Sequence, residues 1–194
     1  MTLRSALALL ALLCVGTIPL SAGICDAVVG NQVTNCGFET GDFAGWTLGG
    51  YPGNMGVFGS PYNNSGSFGA AFGALGSDTL LSQVLPTLAG TVDFSFYLMS
   101  PGGTPNDFTV FWNGTDVGPT LVNVGAFAYT QYSFVLASAG SDTLQFRVRQ
   151  DPAYFGLDDI VVTQESTGTP EPGTIGMLFG GLGLIVVGLR RRRA

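Results

Sequence analysis

The chain contains no histidine and no lysine. Without histidine there is no Ser-His-Asp triad, no Cys-His pair and no His-ligated zinc or haem. Without lysine there is no Walker A phosphate site and no Schiff-base nucleophile. Charge of either sign is scarce, 10% of residues, and the net charge of −6 opposes nucleic acid binding, which needs a clustered basic surface. Cysteine is limited to Cys14, Cys25 and Cys36. What is plentiful is glycine, with 30 residues, and aromatic side chains at 11%. At 194 residues the chain holds one ordinary domain plus terminal signals.

Residues 1–23 read as a secretory signal peptide. Arg4 is the positive start, Ser5 to Gly16 is a short apolar run, and Ser21-Ala22-Gly23 offers the small residues of a cleavage site. A retained membrane helix and a lipoprotein signal at Cys25 are the rivals; the run is short for the first, and Ile24 is too large before Cys25 for the second. The body ends in a polar linker, 164–169, and the chain closes on a segment at 170–194. That segment has Pro170-Glu171-Pro172, an apolar stretch 173–189, and Arg190, Arg191, Arg192 and Arg193. Seventeen helical residues reach about 26 Å, marginal for a hydrocarbon core of roughly 30 Å, with the arginines stopping transfer on the cytoplasmic side.

This ending resembles the PEP-CTERM sorting signal, also catalogued as the ice-binding protein C-terminal domain. The resemblance implies an exported protein cut near the tripeptide by exosortase, a membrane enzyme of exopolysaccharide-producing Gram-negative bacteria. The partners expected are exosortase, the secretion machinery, the membrane through the C-terminal helix before processing, and extracellular polysaccharide. The expected location is the inner membrane in passing, then the cell surface or matrix. A plain tail anchor is the bland alternative. Ice binding finds no support in the body, which has no regular Thr-x-Thr ladder.

Between the signals, from Asp26 to Glu165, twelve acidic residues stand against Arg147 and Arg149, a balance of −10. Cys25 and Cys36, eleven apart in an exported chain, predict a disulfide that staples the mature N-terminus to the first strand. Strict alternation marks strands at Val92–Leu98, Phe108–Trp112 and Leu144–Arg149, and Asn113-Gly114 marks a two-residue hairpin. Short strands punctuated by Gly and Pro, with no helical period, predict an all-β domain over 24–163, a single jelly-roll-like β-sandwich flanked by the signal helix and the membrane helix. Gly76-Ser77-Asp78-Thr79-Leu80 recurs as Gly140-Ser141-Asp142-Thr143-Leu144, read as shared turn chemistry.

The block Val33 to Trp46, with Asn35-Cys36-Gly37-Phe38-Glu39 and Gly45-Trp46, resembles the opening of galactose-binding-like jelly rolls, including carbohydrate-binding modules. Gly156-Leu157-Asp158-Asp159-Ile160-Val161-Val162 is similar to their closing strand. The resemblance implies a structural Ca2+ between Glu39 and Asp158, joined by carbonyls and by Asp159 or Asp42; acids serving as plain turn or edge groups are the alternative. No cofactor is required for function. Trp46, Arg149, Asp151 and Tyr154 are the ligand-binding candidates, with a structural ion pair of Arg147 or Arg149 to Asp151, or to Asp158 and Asp159, the competing expectation. The aromatic residues Tyr51, Phe58, Tyr62, Phe68 and Phe72 fall in a Gly/Asn/Ser-rich region that would either bind glycans or plug the core. The expected function is non-catalytic glycan binding at the surface or in the matrix. The alternatives are a purely structural matrix protein and, remotely, a glycoside hydrolase using a carboxylate pair.

Overall fold

The computed structural model describes residues 22–151 and 153–165. The expected signal peptide up to residue 21, most of the linker and the whole C-terminal segment lie outside them. Within them, eleven strands follow a short 3-10 turn at Ile24–Ala27. They are β1 (Thr47–Gly50), β2 (Met55–Phe58), β3 (Gly69–Phe72), β4 (Thr79–Leu85), β5 (Ala89–Pro101), β6 (Asn106–Trp112), β7 (Thr115–Asp116), β8 (Leu121–Val122), β9 (Ala126–Ala139), β10 (Asp142–Gln150) and β11 (Phe155–Gln164). One sheet runs β1-β4-β10-β6-β7 with β8 also on β6; the other runs β2-β3-β11-β5-β9, and every pairing is antiparallel. The domain is an all-β sandwich of jelly-roll type.

Alternation along the strands builds the core, because every second side chain points inward. β10 buries Leu144, Phe146 and Val148 and turns Gln145, Arg147 and Arg149 outward. Phe146 meets Phe96 edge-on at 5.4 Å and Phe108 at 5.9 Å, and Phe94 and Trp112 extend the cluster. The Asn113-Gly114 pair takes φ of 51° and 78°, the left-handed values a two-residue hairpin between β6 and β7 requires.

The N-terminal segment departs from expectation. Cys25 and Cys36 are disulfide-bonded, but Cys36 lies in turns well before β1, so the bridge staples the 3-10 turn to a loop and not to a strand. Pairing to β11 holds this segment instead. Gln32 N–H donates to the Val162 carbonyl at 2.8 Å, Ile160 N–H donates to the Cys36 carbonyl at 3.0 Å, and Asn31 bridges Thr163.

Candidate functional site

The outer face of the five-stranded sheet is roofed by the loop 59–68, which the buried carboxylates pin down. Asp158 Oδ2 accepts from Asn64 N–H at 2.7 Å and Ser65 N–H at 3.1 Å. Asp159 accepts from the Ser65 hydroxyl at 2.7 Å and the Asn64 amide at 2.8 Å. Glu39 accepts from Ser67 N–H at 2.9 Å and Phe68 N–H at 3.2 Å. The Tyr129 hydroxyl donates to the Tyr62 carbonyl at the loop's other end. Consecutive residues on a regular strand face opposite ways; here the ladder to β5 shifts between Asp158 and Val161, and Asp159 takes φ of 50°. That bulge brings two neighbouring carboxylates to one loop.

The three expected metal ligands are therefore gathered under one loop, but by its N–H and O–H donors. Calcium takes about six to eight oxygens in a single shell. Among the described residues, the one group of three metal-ligating side chains within 4.8 Å of one another is Cys25, Asp26 and Cys36, and its thiols are joined in the disulfide. As arranged, the carboxylates are taken up by the loop's donors. Burial first, and then the neighbouring Asp159 charge, pushes the Asp158 carboxyl up to about 8.

Where the roof ends, three rings come to the surface. Phe58 is 51% exposed and Tyr154 37%. Tyr62 sits between them, its centroid 6.1 Å from Phe58 and 6.0 Å from Tyr154. The three line a shallow hollow of about 220 Å3. Glycine makes this possible: a Cβ at Gly56 would collide with the Phe58 ring, and one at Gly73 with Tyr154, so each ring lies close against bare backbone. A larger hollow of about 530 Å3, lined by Ala22, Asp26, Thr34, Asn35, Glu39, Thr40, Ala44 and Gly45, offers no aromatic plane.

The other ligand candidates are placed elsewhere or occupied. Trp46 is buried, its ring against Phe38 at 5.8 Å and Phe146 at 6.2 Å and its N–H on the Asn35 carbonyl, so it presents no stacking plane. Arg149 grips Asp151 with two bonds of 2.8 Å, and that guanidinium, helped by the Gly76 amide, holds the Asp151 carboxyl down at about 2. Arg147 lies over the Phe111 ring at 5.3 Å and 3.6 Å from Asp78. Of the four candidates only Tyr154 belongs to the aromatic hollow. Phe72 is core, and Phe58 and Tyr62 are the partners that the sequence left undistinguished within their region. The available signal was Gly56, two residues before Phe58 and hence on the same strand face.

Residues 169–193 match the PEP-CTERM protein-sorting motif. No curated relative matches the chain. Among solved structures, the chain is similar to TmCBM61 in complex with beta-1,4-galactotriose, at 19% identity and TM-score 0.54, over 70% of this chain and 99% of that one. It is also similar to arabinose-bound MgGH51 α-L-arabinofuranosidase, at 12% identity and TM-score 0.52, and to the enzymatically active domain of bacteriophage CBA120 tailspike protein 4, at 14% and 0.50. It covers 69% of itself in both but only 26% and 21% of those chains. These likenesses show the fold: the sandwich is a jelly roll like that of TmCBM61.

Proposed function

We propose that the chain is an exported, exosortase-sorted protein of the cell surface or exopolysaccharide matrix, and that its sandwich binds glycan without turning it over. The observation that carries the reading is the hollow of Phe58, Tyr62 and Tyr154. Sugar rings present polarised C–H faces, which suit the negative face of an aromatic quadrupole, and rings exposed on a glycine floor are free to receive them. The PEP-CTERM motif supports the route, and the resemblance of the fold to TmCBM61 supports the class of ligand. The reading needs no cofactor; a structural Ca2+ at Glu39, Asp158 and Asp159 is a separate proposal that a chelator tests.

The test is native affinity electrophoresis of the full chain in gels carrying β-1,4-galactan, xylan or no polysaccharide. Retardation by one polysaccharide is expected, weakened at least about tenfold (~1.4 kcal/mol) in Tyr154→Ala and in Phe58→Ala. Trp46→Phe, which keeps the core filled, leaves it unchanged. Equal mobility in every gel favours the second reading, a structural matrix protein without a small ligand. That reading has its own support in the burial of Trp46 and the closed Arg149–Asp151 pair.

A further inference from the structure

A sheet edge carries unpaired N–H and C=O groups that template another strand, and proteins blunt such edges by shortness, charge or proline. Three edges here are short, since β1 and β2 have four residues each and β7 has two. The remaining edge is β9, fourteen residues long and paired, among the described residues, with no strand but β5. Its sequence, Ala126 to Ala139, contains no Asp, Glu, Lys, Arg, Pro or Gly.

The phase of this edge is set by two bonds to the opposite sheet. The Ala137 carbonyl accepts from Trp112 Nε1 at 3.0 Å, and Ala139 N–H donates to Asp142 Oδ1 at 3.1 Å. Odd-numbered residues therefore turn their backbone groups away from β5. Gln131, Ser133 and Val135 continue that phase, and no hydrogen bond among the described residues takes up their outward groups. On the inner side, Tyr132 stacks on Phe96 at 5.4 Å and Phe134 on Phe94 at 5.6 Å, yet both stay only half-buried because the sandwich is open here.

The free stretch is symmetric about Ser133. A two-fold axis through that residue sets Ser133 opposite Ser133 of a second copy, Gln131 opposite Val135, and Tyr132 opposite Phe134. Those last two are aromatic cross-strand pairs of the kind that stabilise sheets. Charge selects the occupant. Bodies with twelve acids and two arginines repel each other over most of their surfaces. The uncharged edge complements its own copy, whereas a charged partner finds no counter-charge on it. At about 3.3 Å per residue the edge is roughly 46 Å long. Across a sandwich about 10 Å deep, pairing over the five free residues, roughly 16 Å, would bury roughly 330 Å2 in two copies, well below the ~1,000 Å2 of a specific interface, so the association is weak and reversible.

We propose that β9 is a self-association edge, through which two copies of this chain pair antiparallel about Ser133 and join their five-stranded sheets into one. The inference stands independently of glycan binding. In the full chain, Ser133→Cys is expected to form an interchain disulfide on mild oxidation, since paired Cα atoms lie about 5.5 Å apart, within disulfide reach. Val135→Cys, opposite Gln131, cross-links about tenfold more slowly, and the parent chain gives the background from Cys14. Sedimentation velocity should show the parent's mass rising with concentration, and Ser133→Lys, at an exposed position, monomeric with an unchanged Tm. A parent that stays monomeric to roughly hundreds of micromolar overturns the proposal, as does a Ser133→Lys variant that still dimerises. A monomer whose Gln131, Ser133 and Val135 amides resist hydrogen exchange also overturns it, by placing another segment of the chain on the edge.

Discussion

Asp158 is a carboxyl group sealed under a loop that it helps to hold. Burial and the charge of Asp159 raise it to about 8, far above an unfolded aspartate near 3.8. Between those values the folded state binds the extra proton, so stability falls as pH rises from about 4 to about 8 and is level above. The midpoint of thermal unfolding is expected to climb as the buffer moves from pH 8 to pH 5. Asp158→Asn should flatten that slope, because a neutral amide oxygen still receives the Asn64 and Ser65 amides. EDTA tests the proposed Ca2+ on the same curves: a chelator-dependent drop at pH 8 supports it, and unchanged curves leave the carboxylates to the loop's amide and hydroxyl donors. The sequence showed that Glu39, Asp158 and Asp159 belong together, through the blocks that bracket the body. It hid what joins them, because neither the bulge at Asp159 nor the loop 59–68 leaves a period to read.

At the scale of the element, the repeated pentapeptide makes a sharp comparison. Both copies lead into adjacent strands, β4 and β10, but their aspartates differ in surroundings. Asp142 is buried and accepts from Thr87 at 2.6 Å, Asn113 at 2.6 Å, Ser138 and the Ala139 amide, tying three turns together. Burial acts to raise its carboxyl, but the bonds from Ser138, Thr87 and Asn113 outweigh it and hold the group below the usual range. Its contribution is therefore present above about pH 4 and lost as the pH falls below that. The Asp78 carboxylate pairs with Arg147 at 3.6 Å, both side chains partly in solvent. Asp142→Ala should cost about 3 kcal/mol or more in urea unfolding, from orphaned donors, and Asp78→Ala less than about 0.5 kcal/mol. Strands β5, β6 and β10 were legible because their alternation is unbroken. β9 was not, since a register shift opposite Leu98–Ser100 flips its phase and Val135 puts a large apolar side chain on the outer face.

Across the whole molecule, the two ends of the described chain are bound to each other. The disulfide joins cysteines eleven positions apart and closes a loop that packs on β11, with Cys25 and Cys36 both buried. Reduction should lower unfolding stability by about 2–3 kcal/mol, measured by urea titration with and without reductant, while leaving the sheets' circular dichroism in place. The pairing of Cys25 with Cys36 and the closing strand were legible from spacing and from the resemblance, whereas the attachment of the N-terminal loop to β11 depends on contacts more than a hundred residues apart in the chain. β11 also has a mechanical meaning. It is hydrogen-bonded on both sides, to β3 and β5, it begins beside Tyr154, and Glu165 follows it into the tail. A polymer gripped at Tyr154 and an anchor pulling at the tail would load that strand lengthwise. The tension would be resisted as shear by two ladders at once and not unzipped bond by bond.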